Sequence, residues 1–353
     1  MIICGPAQEE PGRWRVTRHA EVVAALADAR LVIPSPPSEA DGPMARLRRS
    51  VSRFSDGSVH RARRAAAMRT LGAVDPLGLR AEARTRMAAA LADQFGGGGR
   101  DKAACRPVAD AGGRLDLVPL LRTVPVAVLA VALGVPADRG EAVAGAVARI
   151  AAAYHPGAAR EVVAAADEAV VRLAGLLGDP APEDLAALAG LLVQSCDATA
   201  GLIGNTLAQL LPRRQPVAPD PAGSARPWPG VPVEAVVLET LRYDPPVRAT
   251  SRRAEAAVEL GGQAIEAGAM VVLDLAAANR DPEVFAEPDR FDPYRSQAPA
   301  LTFGTGARPC PGDVHALELA AGAVETARHC GLARIAYGPV GNLRVPTLLE
   351  VTP

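Results

Sequence analysis

The sequence predicts a mostly α, α+β fold with a small β-sheet region, and three observations support this. Residues 115–214 are rich in Ala, Leu and Val, and their apolar positions recur with the period of a helix. Several other segments start after a turn-type residue and stop at Pro or Gly, which is typical of helices. Residues 256–279 instead alternate short apolar runs with Gly turns, which indicates strands.

The individual segments follow this scheme along the chain. Residues 12–33, "GRWRVTRHAEVVAALADARLVI", predict a short strand and then a helix. Residues 55–72, "SDGSVHRARRAAAMRTLG", predict a basic helix that begins at a turn-rich cap. Residues 232–244, "PVEAVVLETLRYD", predict a helix that ends at the following Pro pair, because Pro cannot continue a helix.

Residues 256–279 predict a small β-meander. Helices on both sides of one modest sheet predict a single domain over residues 1–353.

The composition argues against several classes of function. The 353 residues carry a net charge of −1, so no overall field attracts nucleic acid or an anionic membrane. The five cysteines are scattered without a CxxC pair, which argues against a disulfide framework and fits a reducing compartment. The N-terminal residues lack a signal-peptide pattern, and charged residues, Gly or Pro interrupt the apolar stretches. We therefore expect a cytoplasmic protein with neither a membrane nor a nucleic-acid partner.

Residues 301–320, "LTFGTGARPCPGDVHALELA", place Cys310 between a Gly-rich loop and a predicted helix. A phosphate-binding loop would need a Lys-Ser/Thr pair after the glycines, and a dinucleotide-binding loop would follow a strand. A zinc site would need more ligands than His315, and a cysteine hydrolase would need a His/Asp constellation around the cysteine. What remains is a lone thiol at a helix start, either a ligand or a buried cysteine in a capping loop.

The neighbours of Cys310 favour a ligand. Pro311 suits the first helical turn, and the helix N-terminus should lower the pKa of the thiol by stabilising negative sulfur. Gly304, Gly306 and Gly312 leave room for a flat, bulky group close to the backbone. A single thiolate presented in this way suits an axial bond to haem iron.

This stretch resembles the haem-ligand loop of the cytochrome P450 family. The matching positions are Phe303, Gly304, Gly306, Arg308, Cys310 and Gly312. The resemblance implies a cytochrome P450-like helical fold that binds haem b, with the thiolate of Cys310 as the axial, metal-binding ligand.

Residues 239–242, "ETLR", resemble the Glu-x-x-Arg pair of the same family. Residues three apart lie on one side of a helix, so Glu239 and Arg242 can pair. The resemblance implies that this structural pair binds a third basic residue, for which "PDRFDPYR" offers Arg290 first and Arg295 second. An ordinary surface pair is the alternative.

Two other segments resemble the haem-propionate contacts of the family. His60 and Arg64 match a His-x-x-x-Arg helix, and "TSRRAEAAVELGG" aligns Arg252 with a strand arginine. With Arg308, these residues are expected to bind the propionates, since a guanidinium fits carboxylate geometry. A solvated basic helix is the alternative for residues 55–72.

Residues 191–205, "LLVQSCDATAGLIGN", resemble the long helix above the haem but depart from its pattern. The family has two small residues and then an acid–alcohol pair that relays protons. Here Gln194 and Ser195 take the small positions, Asp197 keeps the acid and Ala198 replaces the alcohol. Thr199 comes one residue later, about 100° around the helix. We expect Asp197, Ala198 and Thr199 to be the catalytic positions, with Gln194 towards the substrate; polar drift in an enzyme that relays protons through water is the alternative.

Arg248, in "PPVRATSRR", stands where the family's chain enters the substrate pocket. A charged side chain there is costly unless it meets an anion or water, so we expect an anionic substrate. An outward position, towards a propionate or solvent, is the alternative. The chain is also short before the long helix, which predicts an open pocket or one completed by a partner or carrier protein.

The resemblance implies a soluble, bacterial-type haem-thiolate monooxygenase that acts on an intermediate of specialised metabolism. Hydroxylation, oxidative coupling and desaturation are the expected reactions, with electrons from NAD(P)H through a ferredoxin and its reductase. A non-catalytic relative that assists another biosynthetic enzyme, such as a glycosyltransferase, is the alternative. Intact Cys310, Arg252, Arg308 and His60 favour the enzyme.

Overall fold

The computed structural model describes residues 5–34, 41–95, 113–154, 157–212, 228, 230–296, 300–338 and 341–353. The statements that follow concern these residues.

The N-terminal region forms three strands and one helix. In the second strand Trp14 and Val16 face inward while Arg13 and Arg15 face out or lie half-buried, the alternation expected for a strand with one buried face. The predicted strand and helix of residues 12–33 are present. The elements are β1 (Ala7–Glu10), β2 (Arg13–Val16), α1 (His19–Ala27) and β3 (Leu31–Val32).

Helices dominate the middle of the chain. The predicted basic helix is α3, and the breaks near residues 155 and 180 separate α6, α7 and α8. The elements are α2 (Pro43–Ser50), α3 (Gly57–Gly72), α4 (Pro76–Phe95), β4 (Leu115–Asp116), α5 (Val118–Ala132), α6 (Gly140–Ala152), α7 (Arg160–Leu176) and α8 (Pro182–Leu210).

Strands and helices mix in the C-terminal part. Helix α9 ends one residue before the Asp-Pro-Pro turn, as its sequence predicts. The elements are α9 (Val233–Tyr243), β5 (Ala249–Ala254), β6 (Val258–Leu260), β7 (Gln263–Ile265), β8 (Met270–Asp274), α10 (Leu275–Ala278), α11 (Asp313–Ala327), β9 (Gly331–Tyr337) and β10 (Pro346–Thr352).

The described strands form three sheets rather than one. A five-stranded sheet has the order β1-β2-β8-β5-β3, a three-stranded sheet has the order β4-β10-β9, and β6 pairs with β7 alone. The predicted meander over residues 256–279 is therefore wrong. Strand β8 leaves the β6–β7 hairpin and pairs with β5 and, in parallel, with β2, which are contacts that local sequence does not encode. The last part of the predicted meander, Leu275–Ala278, forms helix α10 instead of a strand.

Helix α8 is the central element of the fold. It begins with Pro182 and carries Glu183 and Asp184 in its first turn, where acidic groups favour the helix N-terminus. It packs against α3, α5, α6, α9 and α11. By length and composition α8 would be apolar enough to cross a membrane, but 67% of that apolar window is buried inside the protein. The predicted mostly α fold class is confirmed, with 55% of the structure helical.

Candidate functional site

The loop that carries Cys310 is closed by its own backbone. The N–H of Cys310 donates to the carbonyl of Phe303 at 2.7 Å, which draws the loop into a narrow turn. Gly304 and Gly306 have φ of 70° and 67°, a region that residues with a Cβ rarely adopt. A Cβ on Gly306 would also lie 2.7 Å from the carbonyl oxygen of Leu26. Both glycines are therefore required by the backbone.

A fully buried amide, Asn279, fixes the start of this loop. Its Oδ1 accepts from the backbone N–H of Leu301 at 2.7 Å, and its Nδ2 donates to Thr302 Oγ1 at 3.0 Å. Thr302 Oγ1 in turn donates to the carbonyl of Leu241 in α9 at 2.6 Å. Asn279 could not be predicted as part of this site, because nothing in its local sequence shows that it faces the loop.

The Cys310 residue is half-buried and lies three residues before α11 begins. Burial raises the pKa of Cys310, although a hydrogen bond from the backbone N–H of Gly312 acts in the opposite direction. The expected fall in this pKa is therefore wrong, because desolvation of the thiolate outweighs the helix terminus. A metal ion would supply the missing stabilisation, since a coordinating thiol loses its proton.

A group of cations surrounds the cysteine loop. The side chains of this group come from α3, from β5, from the loop itself and from the turn before α3. Its members are Arg53, His60, Arg64, Arg252 and Arg308.

Asp56 is the carboxylate that these cations share. Arg308 donates to Asp56 Oδ1 and, at 2.8 Å, to the carbonyl of Ser55. Arg64 interacts electrostatically with both Arg308 and Cys310. The group therefore carries more positive than negative charge.

The pKa shifts in this group are caused first by burial and then by neighbouring positive charge. Burial, followed by the charges of Arg308 and Arg53, lowers the pKa of Arg252 to about 10. Burial also lowers the pKa of Arg308, and burial followed by Arg308 lowers that of His60. The Nδ1 of His60 lies 3.0 Å from the carbonyl of Ser52, while its buried Nε2 has no hydrogen-bond partner among the described residues. Such a group is suited to receive an anion with several oxygen atoms.

The Glu239–Arg242 pair lies in the interior and not on the surface. The side chains are 3% and 2% exposed, and the two guanidinium–carboxylate contacts measure 2.9 and 2.6 Å. Arg242 also donates to the backbone carbonyls of Asn279, Pro288 and Arg290 at 3.2, 2.8 and 2.8 Å. The pair thus connects α9 to the segment that precedes the cysteine loop.

The third basic side chain beside this pair is Arg295. Its Nε lies 3.7 Å from Glu239 Oε1, and the side chain is 14% exposed. The Arg290 side chain is 55% exposed and pairs with Glu287 instead. The prediction that named Arg290 first is wrong for its side chain, because the chain turns between residues 287 and 292 and directs that guanidinium outward. Arg290 contributes only its carbonyl.

One side of α8 is left only partly covered. Its half-buried or exposed positions recur three or four residues apart, which places them on one face of the helix. They include Leu191, Gln194, Ser195 and Ala198. The polar members bond to their own helix: Gln194 Nε2 donates to the carbonyl of Gly190 at 2.9 Å, and Ser195 Oγ to that of Leu192 at 2.8 Å.

Asp197 and Thr199 do not share the surroundings of Ala198. Asp197 Oδ1 accepts from Arg122 Nε of α5 at 3.1 Å, so its carboxylate is held in an ion pair. Thr199 is only 2% exposed, on the packed side of α8. The sequence analysis missed Arg122, which lies 75 residues away along the chain.

Arg248 is 44% exposed and lies 3.8 Å from Asp244 Oδ1. Its backbone N–H donates to the carbonyl of Asn342, which ties the Pro-Pro turn to the loop before β10.

Comparison with known proteins assigns these features to a family. The sequence model of the family described as Cytochrome P450 matches residues 232–317, which include Glu239, Arg242, Arg252 and the Cys310 loop. Protein DesVIII of Streptomyces venezuelae is 39% identical over 184 residues, 51% of this chain and 43% of that protein. Putative cytochrome P450 140 of Mycobacterium tuberculosis is 42% identical over 135 residues, 36% of this chain and 28% of that protein.

The fold agrees with these matches. The crystal structure of P450BioI in complex with hexadec-9Z-enoic acid ligated acyl carrier protein has a TM-score of 0.75 and 25% identity, over 96% of this chain and 92% of that chain. Over residues 232–317 the chain matches the cytochrome P450 family, and its fold is shared with a solved P450 structure. Its aligned part spans less than half the length of both curated relatives.

The family implies a haem bound through a cysteine thiolate, and the residues present fit that group. The cation group lacks matching negative charge, and two propionates would supply it. The unpartnered Nε2 of His60 offers a further hydrogen bond. The expectation that Gly304, Gly306 and Gly312 leave room for a flat group is not met, because a Cβ on these residues would face Arg308, Leu26 and Leu71 respectively. In the described part of the chain, no group of three His, Cys, Asp or Glu residues forms an alternative metal site.

Replacing Arg252 should separate haem affinity from fold stability. Arg252→Gln removes a buried cation, so haem should bind about tenfold more weakly or worse, because a hydrogen bond to a charged group is worth about 1.5–3 kcal/mol. The haem-free protein should melt no lower than wild type, because repulsion from Arg308 and Arg53 is relieved. Haem titration and thermal melting measure the two effects.

Arg253→Gln is the matched control, since Arg253 is 42% exposed on the same strand and makes only a 3.7 Å contact with Glu255. Equal haem affinity in Arg252→Gln, Arg253→Gln and wild type would contradict the assignment.

Proposed function

We propose that this chain is a haem-thiolate monooxygenase that acts on a small-molecule intermediate of specialised metabolism. The observation that carries the proposal is the surplus of positive charge around the loop of Cys310, with Arg252 buried and Arg53, Arg64 and Arg308 half-buried, which matches the two carboxylates of haem b. We assign Cys310 as the iron ligand and His60, Arg64, Arg252 and Arg308 as the propionate contacts. The whole chain, 1–353, would form one haem domain and work in the cytoplasm.

Bound haem would supply the activation of dioxygen by one-electron steps, with electrons from NAD(P)H through a ferredoxin and its reductase. The protein's own residues would position the group and the substrate. Phe303 and the glycine-rich turn shape the loop beneath it, while the open side of α8 would border the substrate. We propose hydroxylation, oxidative coupling or desaturation as the reaction at this site.

Proton supply is the unusual part of the proposal. Ala198 has no hydroxyl, and Thr199 is buried on the other side of α8. Asp197 is the acid next to Ala198 in α8, and its carboxylate forms an ion pair with Arg122. Protons would therefore reach the reaction from Asp197 through water, or from a hydroxyl of the substrate itself.

Substitutions in α8 test this proton route. Asp197→Asn should slow product formation about 10²-fold or more, the range for loss of a general acid. Ala198→Thr should raise the fraction of NAD(P)H electrons that reach product, and more so for substrate analogues that lack a hydroxyl near the reacting carbon. The fraction is measured as product formed per NAD(P)H oxidised, and hydrogen peroxide released per NAD(P)H oxidised should fall as it rises.

Ser195→Ala is the control, because its hydroxyl bonds to its own helix. Unchanged product formation in Asp197→Asn would show that Asp197 only forms an ion pair with Arg122.

A carrier-bound substrate is compatible with this proposal. The solved P450BioI structure contains an acyl carrier protein with a ligated fatty acid, and it shares the fold of this chain. The short segment before α8 would leave an opening through which a carrier arm can enter.

A second candidate is a family member that assists another biosynthetic enzyme, such as a glycosyltransferase, without catalysing a reaction. The observation that favours it is α8, where the alcohol is missing, the acid is paired and Gln194 bonds to its own helix.

Oxygen uptake separates the two candidates. Haem-loaded protein with ferredoxin, reductase, NADPH and extracts of pathway intermediates should consume oxygen and form a new product, and Cys310→Ala should not. If the chain only assists another enzyme, the Cys310→Ala variant should support that partner enzyme as well as the wild type does.

A further inference from the structure

Two arginines share one carboxylate next to the Pro-Pro turn. Arg344 Nε lies 2.5 Å from Asp244 Oδ1, and Arg248 Nη1 lies 3.8 Å from the same atom. The two guanidinium groups therefore lie side by side, with one negative charge between them. Asp244 is buried, whereas both arginines are partly exposed.

The two arginines are held to different degrees. Arg344 stacks on the ring of Tyr337 at 3.8 Å, and Tyr337 Oη lies 3.2 Å from Asn205 Oδ1 of α8. Arg344 is thus fixed by its carboxylate and by the aromatic ring. Among the described residues, the side chain of Arg248 contacts a carboxylate only at 3.8 Å, which is longer than a hydrogen bond. Its donors remain available to a ligand.

This pair lies against α8, one turn beyond Ala198. A Cβ on Gly201 would lie 2.9 Å from both the Arg344 carbonyl oxygen and Pro246 Cβ, so the Pro-Pro turn and the loop before β10 meet the helix there. Gly201 follows Ala198 by three residues and lies on the same side of α8. The turn that carries Arg248 and the loop that carries Arg344 therefore pack on α8 one turn beyond Ala198, at the end of its partly covered face.

The position also separates this pair from the cations around Cys310. Arg248 lies just before β5 and Arg252 within it, four residues apart, which is at most about 13 Å along the chain. Arg252 interacts with Arg308 and Arg53, and Arg248 with Asp244. One anion cannot satisfy both groups at once.

We propose that Arg248 and Arg344, held by Asp244, form an anion subsite that binds a carboxylate or phosphate group of the substrate. This inference rests on the proposed function, because the open side of α8 is taken as the substrate side. A guanidinium binds either anion through two parallel hydrogen bonds. The bridge between Val247 and Leu343 holds the backbones that carry the two arginines next to each other.

The test compares decanoate, decyl phosphate and decan-1-ol, which share one chain and differ in the head group. Binding to haem-loaded protein is measured by calorimetry. The wild type should bind both anions at least about tenfold more tightly than the alcohol, and Arg248→Gln should lose that preference while binding the alcohol as before. Tighter binding of decyl phosphate would identify a phosphate-bearing, carrier-type substrate, and tighter binding of decanoate a free acid.

Arg253→Gln is the matched control, since Arg253 lies next to Arg252 on β5, has nearly the same exposure as Arg248 and has a similarly long ion pair. The proposal is overturned if the wild type shows no preference for the anions, if Arg248→Gln keeps it, or if Arg253→Gln loses it to the same extent. The binding assay needs no turnover. An Arg248-dependent preference in a protein without thiolate-bound haem would leave the subsite standing and refute the monooxygenase. Thiolate-bound haem in a protein whose anion preference does not depend on Arg248 would refute only the subsite.

Discussion

Glu239→Ala is expected to lower the free energy of unfolding by about 3–5 kcal/mol, the cost of leaving one member of a buried ion pair alone. Arg242 would remain as an uncompensated charge at 2% exposure, surrounded by backbone carbonyls that cannot neutralise it. The segment before the cysteine loop would lose its attachment, so haem content should fall together with stability. Denaturant unfolding and the haem-to-protein ratio measure both.

Glu234→Ala provides the control on the same helix. Glu234 pairs with Arg80, but its side chain is 43% exposed, so the loss should stay below about 1 kcal/mol. Arg295→Ala should be more destabilising than Arg290→Ala, because only Arg295 lies beside Glu239. A Glu239→Ala protein with normal melting and full haem content would contradict the structural role of the pair.

Cys310→Ala should remove the axial ligand and with it the spectrum of thiolate-bound haem. Because Cys310 lies in a loop whose shape depends on backbone bonds and glycines, the protein should still fold, and its melting without haem should be close to that of wild type. Cys330→Ala is the matched control, since burial raises the pKa of that thiol as well but it lies beyond the end of α11. A thiolate-type spectrum in Cys310→Ala would exclude this cysteine as the ligand.

The sequence was informative where chemistry depends on local spacing. The loop around Cys310 could be predicted because its glycines are required by positive φ angles and a close approach to Leu26, constraints that act within a few residues. The Glu239–Arg242 pair could be predicted because residues three apart meet on a helix. Most helices could be placed from their apolar period and their Pro or Gly boundaries.

Features that depend on distant residues could not be predicted. Asn279, Arg122 and the Asp244–Arg344 contact each join segments separated by 22 to 100 residues along the chain. The choice between Arg290 and Arg295 depends on a tight turn that composition does not encode. Strand β8 has a sequence like that of β6 and β7, yet it pairs across the fold.

The pKa of Cys310 illustrates a different limit. The sequence shows the helix start, which favours the thiolate, whereas Arg64 also favours it but lies on α3 and is brought near Cys310 only by folding. Burial opposes them and is the larger effect, but it appears only once the loop is packed. The thiolate is therefore expected to form on metal binding and not before it.

The most direct test of the central claim is the absorption spectrum of the purified, haem-loaded protein after reduction and exposure to carbon monoxide. Haem bound through the Cys310 thiolate should give a Soret band at about 450 nm, and Cys310→Ala should not. A wild-type protein that binds no haem, or whose band stays at the shorter wavelength of a haem without a thiolate ligand, would contradict the account.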